Sequence, residues 1–419
     1  MKEIIVKKDK IDEKLLTEKI RKWLSALSFS PEKILLIPPD FTRRYSFAGI
    51  IVRKLYKLLP ETITVDIMPA LGTHVPVTAE ERKKFFGEEI PAERFIVHNW
   101  REDVEKIGEI SSEYVEDISQ GLVSFPIGVY VNKKIVSGEY DLIISIGQVV
   151  PHEVVGMANY NKNIFVGCGG PEIINKSHYL GAAYGLENLI GKDHSPVRKI
   201  FDYAAREFLE EIPLHYIMTV TSKIENEQQL HGLFMGKSRN IFEEAVSLSQ
   251  EKNITYLKKA PSKMVVYLSP EEFKSTWLGN KAIYRTRKAL QQGGDLIIIA
   301  PGIKRFGEDK AIDKIIRKYG YCGRKQILKY VEEDKEELLK NNLSAAAHLI
   351  HGSSDGKFNI HYATGGLNKE EIENAGYSYL PLEETIKKYN PEELEEGWNE
   401  IDGEKFYYIS NPALGLWTS

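Results

Sequence analysis

Cysteine, long apolar runs and clusters of positive charge are the scarce features of this sequence. Its 419 residues include two cysteines, Cys168 and Cys322, so a disulfide framework is excluded and a reducing compartment is indicated. No stretch approaches the roughly 20 apolar residues that cross a bilayer, and the first residues lack the apolar run of a signal peptide. We therefore expect a cytoplasmic protein that does not associate with membranes.

Charge is evenly mixed along the chain, with 56 Lys and Arg against 60 Asp and Glu. Nucleic-acid binding requires clustered Lys and Arg, so no nucleic-acid partner is expected.

The length of the chain suits two domains. A polar stretch at 249–262 precedes a fresh strand, which predicts a boundary near residue 260. We expect an N-terminal α/β domain at 1–259 and a C-terminal α/β domain at 260–419.

Short β-branched runs alternate with amphipathic segments, which predicts an α/β fold. The predicted strands are 33–39, 63–71, 94–99, 141–150, 215–222, 263–269, 295–302 and 358–364. The predicted helices are 9–27, 195–212, 237–252 and 280–292, and a hairpin with its turn near Asn132 is predicted at 121–138. In α/β sheets ligands bind beyond the carboxyl ends of strands, so the residues that follow strands are the candidates for chemistry.

The first such strand is followed by Asp40, Thr42 and Arg43. A guanidinium group binds carboxylate or phosphate oxygens bidentately, so Arg43 is a candidate anion ligand. The alternative is a turn in which Asp40 only caps the next segment.

Histidines follow two further strands. Thr78 and Glu81 have the spacing of a capping box, which predicts a helix start and leaves His74 in the turn before it. His152 follows the strand at 141–150. Two imidazoles can act as acid and base near neutral pH, although a single histidine is more often structural.

The segment 151–178 adds Lys162 and His178 in a Gly- and Asn-rich context. A lysine there is a candidate nucleophile or covalent tether. His178 lacks the neighbouring ligands of a zinc site, so any metal would need ligands from elsewhere.

Together these residues resemble the lactate racemase family, whose members use a nickel-pincer nucleotide. The motif is H-x3-G-x5-K-x4-G-x10-H, formed by His152, Gly156, Lys162, Gly167 and His178. It follows "PDFTRR" and "GTHVPVTAEE", which resemble family segments in the same order. The segments "LHGLFMGKSRNIFEEA" and "IYRTRKAL" are also similar to family blocks. The similarity runs over most of the chain, and we expect an active-site cleft between the two domains.

The resemblance implies a role for each matched residue. Lys162 would hold the cofactor through a thioamide, His178 would be the protein ligand to nickel, and His74 with His152 would be the acid/base pair. Asp40, Thr42 and Arg43 would contact the cofactor or shape its surroundings. Arg43, Lys288 and Arg285 would bind the substrate. Proteins that synthesise the cofactor would be required for activation.

The implied activity is that of an isomerase that inverts C2 of a 2-hydroxy acid by reversible hydride transfer. The chain departs from the lactate enzymes in "ANYNK" before the tether, in Arg285 in place of Gln, and in lacking a Trp near residue 343. These departures favour a sugar acid such as gluconate or mannonate. Malate or a short-chain acid like lactate is the alternative.

Two other classes compete with the racemase interpretation. One is a non-catalytic sugar-acid binding protein. The other is a nicotinamide dehydrogenase using "IIIAPGIKRFGED", which is disfavoured because G-x-G-x-x-G is missing. We interpret His348 and His351 as packing or surface residues, and we give His98 no role in the chemistry.

Overall fold

The computed structural model describes residues 3–27, 29–224, 227–413 and 415–419. It divides into two compact units, Met1–Ser177 with Ile190–Asn253, and His178–Leu189 with Ile254–Ser419. The predicted domains 1–259 and 260–419 differ from this division at 178–189 and 254–259. The functions predicted for the two domains stay predictions.

The first 253 residues contain ten strands and ten α-helices within the described ranges. The strands are β1 Ile4–Lys7, β2 Lys33–Ile37, β3 Thr64–Ile67, β4 Val104–Ile110, β5 Ile127–Asn132, β6 Leu142–Gln148, β7 Pro151–His152, β8 Gly156–Met157, β9 Leu214–Ile224 and β10 Glu227–Gly236. The helices are α1 Glu13–Leu24, α2 Ala48–Leu58, α3 Ala79–Phe86, α4 Ser112–Ser119, α5 Lys133–Val136, α6 Asn161–Phe165, α7 Pro171–Tyr184, α8 Leu186–Leu189, α9 Pro196–Phe208 and α10 Arg239–Asn253. Short 3-10 helices cover Phe41–Ser46 and Ala92–Arg94.

The first unit is built on a six-stranded sheet of order β1-β10-β9-β6-β2-β3. Strands β3, β2, β6 and β9 run parallel, and β10 and β1 add antiparallel beyond β9. Strands β2 and β6 are almost entirely buried, as expected of parallel strands covered on both faces. Because β2, β3 and β6 are parallel, their carboxyl ends lie at the same edge of the sheet.

Helix α1 illustrates how the sequence pattern builds this core. Asp12 caps the helix by accepting a hydrogen bond from the Leu15 N–H. Leu16, Ile20 and Trp23 recur at helical spacing and are buried in the cluster that covers β2. Each such side chain stabilises the fold by about 1.5–3 kcal/mol.

The second unit continues from residue 254. Its strands are β11 Ile254–Tyr256, β12 Lys263–Tyr267, β13 Asp295–Ala300, β14 Asn359–Thr364, β15 Ser378–Tyr379, β16 Gly397–Ile401, β17 Glu404–Ile409 and β18 Leu416–Thr418. Its helices, besides α8, are α11 Thr276–Gly279, α12 Lys281–Thr286, α13 Lys310–Tyr319, α14 Arg324–Glu333, α15 Leu343–His351, α16 Lys369–Asn374 and α17 Leu382–Lys388, with a 3-10 turn at Lys340–Asn342.

A second six-stranded sheet, of order β15-β14-β13-β12-β17-β16, forms the centre of this unit. Its strands are parallel except for β16, which pairs antiparallel with β17. A two-stranded parallel pair joins β11 and β18. Both units are therefore α/β, which confirms the predicted fold class. The predicted cleft between domains stays a prediction.

Two sequence-based predictions of local structure were wrong. Residues 94–99 do not form a strand, and Phe95 makes only an isolated bridge to Ile67. His98 turns inward instead, and its ring nitrogens contact the Gly169 carbonyl (3.3 Å) and the Asn132 amide (2.9 Å). The buried ring thus has a structural role.

The predicted hairpin at 121–138 is also absent. The arm before the predicted turn forms β5, which pairs with β4 from earlier in the chain. Helix α5 begins at the expected turn, because the Asn132 side chain accepts a hydrogen bond from the Lys134 N–H at 2.9 Å. The helix predicted at 280–292 is shorter than expected, at Lys281–Thr286.

None of the helices in the described ranges combines the length and the apolar composition needed to cross a bilayer.

Candidate functional site

Asp40 lies just beyond the carboxyl end of β2 and is 6% exposed. Its Oδ1 accepts hydrogen bonds from the Thr42 N–H (2.8 Å) and the Thr42 hydroxyl (2.5 Å). Asp40 therefore caps the 3-10 helix Phe41–Ser46, but capping is only one of its roles. The other carboxylate oxygen serves a second purpose.

Oδ2 of Asp40 lies 2.5 Å from Nδ1 of His74, in the loop that follows β3. Burial alone would raise the pKa of the Asp40 carboxyl. The hydrogen bond of His74, the positive charge of Arg43 and the hydrogen bond of Thr42 instead hold that pKa well below its usual range. A charged Asp40 accepts a hydrogen bond from Nδ1, so the neutral His74 ring carries its proton there. Nε2 is left as the basic nitrogen.

The His74 loop is tied to the lysine segment by a glycine. The Gly72 N–H donates to the Gly167 carbonyl at 2.8 Å. Gly72 adopts φ 57°, and a Cβ there would lie 3.3 Å from the Val166 carbonyl oxygen. A side chain at this position would be strained, so glycine keeps the two loops in contact. The predicted capping box of Thr78 and Glu81 is present and starts α3 after this loop.

His152 lies at the end of β7 and pairs with Gly156 of the neighbouring strand β8. The residue is 8% exposed. Its Nδ1 accepts a hydrogen bond from the Val154 N–H at 3.1 Å, and the Glu153 carboxylate lies 3.8 Å from the same nitrogen. Because Nδ1 is an acceptor, the neutral ring carries its proton on Nε2. The two histidines are thus held in opposite tautomers.

Lys162 lies in the first turn of α6, between two anchored asparagines. Asn161 donates to the Asp202 carboxylate (2.8 Å) and accepts from the Tyr216 hydroxyl (2.5 Å). Asn163 donates to the Ser145 hydroxyl at 2.9 Å. These contacts hold the lysine backbone against α9, β9 and β6.

The ammonium group of Lys162 is crowded by protein, although part of the side chain stays accessible. Desolvation lowers its pKa to about 8, and the positive charge of Arg43 acts in the same direction. Glu153 and Asp40 oppose the shift with their negative charges. A substantial neutral fraction near physiological pH makes this amine a better nucleophile than an exposed lysine.

The same electrostatic interactions show which predicted residues the first unit brings together. Arg43, Asp40 and Glu153 all act on Lys162. Asp40 in turn binds His74, and the Thr42 hydroxyl accepts a hydrogen bond from the Arg43 guanidinium at 3.2 Å. Of the predicted residues, Arg43 and Asp40 therefore act on Lys162 directly, and His74 is linked to it through Asp40.

The other predicted site residues belong to the second unit. His178 is half-buried in α7, Arg285 is 4% exposed in α12, and Lys288 is partly exposed beyond the end of α12. The neighbouring Arg287 pairs with Glu187 at 3.0 Å. The ligand roles predicted for His178, Arg285 and Lys288 stay predictions.

Sequence reasoning missed Glu153 and Arg198. Glu153 could have been noticed because it directly follows His152. Arg198, in α9, is 1% exposed and donates to the carbonyls of Met157 (2.6 Å) and Asn159 (3.2 Å). Nothing local marks it, since its partners lie 39 to 41 positions away.

Two further histidines, His348 and His194, have partners of their own. His348 stacks on Trp277 (4.3 Å between ring centroids) and contacts the Tyr321 hydroxyl, consistent with its interpretation as a packing residue. Ligand atoms of Asp193, His194 and Glu243 lie within 4.8 Å of one another. Asp193 already pairs with Arg239 at 2.8 Å, and that guanidinium disfavours a cation there.

Residues 1–185, which contain Asp40, His74, His152, Lys162 and His178, match the family model described as the lactate racemase N-terminal domain. This part of the chain is similar to the N-terminal domain of the lactate racemase family. The resemblance inferred from the sequence motifs is confirmed.

Curated relatives show the same similarity. A lactate racemase of Thermoanaerobacterium thermosaccharolyticum is 27% identical over 217 residues, covering 49% of this chain and 46% of the relative. A lactate racemase of Lactiplantibacillus plantarum is 26% identical over 223 residues, covering 51% and 47%. These matches span about half the length of each curated lactate racemase.

Solved structures extend the similarity in fold. A crystal structure of a protein from Thermotoga maritima superposes with a TM-score of 0.85 at 24% identity, covering 98% of this chain and 99% of the other. The lactate racemase apoprotein of T. thermosaccharolyticum superposes with a TM-score of 0.70 at 18% identity, covering 99% and 94%. At these identities the match concerns the fold alone.

Proposed function

We propose that this protein is an isomerase that inverts C2 of a 2-hydroxy acid, as a racemase or epimerase. The observation that carries the proposal is the Asp40–His74 pair within electrostatic reach of Lys162. The family match over residues 1–185 supports it, as does the lactate racemase activity named for two relatives.

The Lys162 amine and the His178 imidazole are groups of the kind that could hold a nickel-pincer nucleotide. Lys162 offers an amine with a lowered pKa on a fixed backbone, which suits covalent attachment. His178 offers an imidazole nitrogen in a half-buried position, which suits a metal ligand. When bound, the nucleotide would supply the acceptor for the hydrogen on C2.

In this proposal the histidines move the hydroxyl proton. His74 accepts it through Nε2, since Asp40 fixes the proton on Nδ1 and stabilises the imidazolium that forms. His152 would serve the opposite face of C2. The guanidinium of Arg43 and the ammonium of Lys288 would hold the substrate carboxylate.

We propose a sugar acid such as gluconate or mannonate as the substrate. Arg285 supports a polar substrate, because a buried guanidinium can bind hydroxyl or carboxylate oxygens. Malate and lactate are the competing substrates. The cytoplasmic location and the need for cofactor-synthesising proteins also stay predictions.

The test uses protein produced with the cofactor's biosynthetic proteins and a panel of 2-hydroxy acids deuterated at C2: gluconate, malate and lactate. We expect a mass adduct on the Lys162 peptide, inversion of gluconate, and deuterium largely retained at C2. Retention is expected because a transferred hydride does not exchange with water.

Loaded His74→Ala and His152→Ala variants should keep the adduct and lose inversion. A protein that carries no adduct and inverts no acid of the panel would favour the binding-protein interpretation. Full activity of an unmodified enzyme would refute the tether. Inversion of malate or lactate alone would correct the substrate.

A further inference from the structure

The segment directly before Lys162 has an unusual backbone. Asn159 and Tyr160 are consecutive non-glycine residues with positive φ, 70° and 56°. L-residues rarely adopt this conformation, and two in succession persist only where surrounding contacts hold them. The contacts that hold this segment therefore decide where α6 begins and where Lys162 lies.

Arg198 makes the central contact. Its guanidinium donates to the Met157 carbonyl at 2.6 Å and to the Asn159 carbonyl at 3.2 and 3.3 Å. The side chain is 1% exposed and lies 4.4 Å from the centroid of the Phe242 ring. Burying a guanidinium is costly unless its donors are used. Here both terminal nitrogens are used, on main-chain carbonyls of the segment 157–159.

Tyr160 completes the arrangement on the same aromatic ring. It stacks on Phe242 with ring centroids 5.0 Å apart and an 11° angle between planes. Its hydroxyl donates to the Lys237 carbonyl at 3.2 Å. The segment is thus held by the guanidinium of Arg198 and by the tyrosine ring, immediately before α6.

We propose that Arg198 is a positioning residue for Lys162. It holds the segment 157–160 in its strained conformation and so presents the amine in one place for the group that it binds. This inference rests on the proposed function in so far as Lys162 is the attachment point. The placement of the amine can nevertheless be measured without the cofactor.

The pKa of the Lys162 amine is a measurable property that depends on Arg198. The groups that act on Lys162 are Arg43, Glu153, Asp40 and Arg198, and the positive charge of Arg198 lowers the pKa of the amine. Removing that charge and releasing the segment into solvent should both raise the pKa of Lys162. A role confined to global stability would not change this value in a protein that remains folded.

The experiment measures acetylation of Lys162 by acetic anhydride in the cofactor-free full-length protein, by peptide mass spectrometry across a pH series that brackets the pKa of the amine. In the wild type the rate should reach half its maximum near pH 8. In Arg198→Met the midpoint should rise and the rate at pH 8 should fall, by about five-fold for a midpoint one pH unit higher. Arg198→Lys should restore part of the wild-type profile.

Arg239→Met is the matched control. Arg239 also lies over Phe242, at 4.9 Å, but its guanidinium pairs with Asp193 and Asp202 rather than with the segment. Its profile should match the wild type. If Arg198→Met fails to fold, Arg198→Lys with Asn159→Gly serves instead, because glycine adopts positive φ without strain. The added glycine should move the profile back towards the wild type.

An unchanged midpoint and rate in folded Arg198→Met would overturn the proposal, as would no effect of Asn159→Gly in the Arg198→Lys background. Failure of the proposed function would look different. The acetylation profile would respond to Arg198 as expected, but protein produced with the cofactor pathway would carry no adduct on Lys162.

Discussion

At the scale of single residues, the contact between Asp40 and His74 gives the site its direction of proton transfer. The carboxylate is buried and held in its charged form, so it fixes one tautomer of the imidazole and stabilises the imidazolium. A neutral amide of the same shape cannot do either.

Asp40→Asn should therefore lower kcat for inversion by about 10²–10⁴-fold, by analogy with loss of a carboxylate that orients a catalytic histidine. The measurement is steady-state kinetics on protein shown by mass to carry the Lys162 adduct. Thr42→Ala is the control at the same carboxylate and should cost less, because the backbone N–H at this position remains bound to Asp40. Equal losses in both variants would contradict the role assigned to the His74 contact.

Lys162 supplies a second prediction at this scale. Its native pKa of about 8 lies below the unfolded value near 10.4, so the unfolded chain binds more protons between these values. The charged lysine is destabilising at pH 7, and that penalty disappears as pH rises from about 8 to about 10.4. Lys162→Met should raise the free energy of unfolding of the cofactor-free protein by about 1–3 kcal/mol at pH 7.

The gain should shrink towards zero above about pH 10, as followed by urea denaturation at several pH values. Lys258→Met, at an exposed position, should change stability by less than about 0.5 kcal/mol throughout. A pH-independent gain for Lys162→Met would point to apolar packing rather than to the lowered pKa.

At the scale of elements, the site residues depend on how helices and loops begin after strands. Helix α3 starts at the Thr78 capping box shortly after His74, and α16 starts at the equivalent box of Asn368 in the second unit. The two capping boxes allow a matched comparison, because the Thr78 box follows the loop that carries His74 and the Asn368 box does not.

Thr78→Ala and Asn368→Ala should each lower the free energy of unfolding by about 1 kcal/mol, the usual cost of losing an N-cap. Only Thr78→Ala should also lower kcat/KM, since fraying of α3 loosens the loop that carries His74. Chemical denaturation and kinetics on loaded protein check both. Equal kinetic effects would show that the helix start does not control the histidine.

The same scale shows why some elements escaped prediction. Residues 94–99 have the composition of a strand, yet His98 turns inward to Asn132 and Gly169, and the edge of the sheet receives a single bridge. The strand β5 pairs with β4 rather than with its immediate continuation. In both places a partner distant in sequence overrides the local propensity.

At the scale of the whole molecule, carboxylates in both units have native pKa values below their unfolded ones. Asp40 belongs to the first unit. In the second, desolvation raises the pKa of Glu404, but bonds from Lys263, Lys388 and Tyr389 lower it to about 2. Such groups stabilise the fold above the unfolded pKa and lose that contribution as pH falls through the folded value.

The free energy of unfolding should therefore fall as pH drops below about 4.5 (the acid limb of the stability curve). In Glu404→Gln this fall should be smaller. The variant should be less stable than the wild type by about 1 kcal/mol at pH 7, a value reduced for solvent screening of this partly exposed carboxylate, and equal to it near pH 2. Urea denaturation at several pH values measures the difference.

The control is Glu400, an exposed carboxylate on the neighbouring strand β16. Its partner Lys405 lies 3.4 Å away at the surface, where such a pair contributes little. Glu400→Gln should therefore leave the acid limb unchanged. A constant difference between Glu404→Gln and the wild type at every pH would contradict the role of the Glu404 charge.

The sequence by itself determined the α/β class, most central strands, the capping box before α3 and the set of residues that follow strands. These features can be predicted because burial sets the spacing of apolar residues along the chain, and capping sets the residue types at the starts of helices. The resemblance to the lactate racemase family also followed from ordered motifs, and the family match over 1–185 confirmed that resemblance.

Only the tertiary structure decided which of these residues meet. The Asp40–His74 contact joins residues 34 positions apart, and the contact of Arg198 with Asn159 joins residues 39 positions apart. The lowered pKa of Lys162 depends on burial and on charges brought from other loops. Such contacts are set by the order of strands in the sheet, and no local pattern in the chain encodes that order.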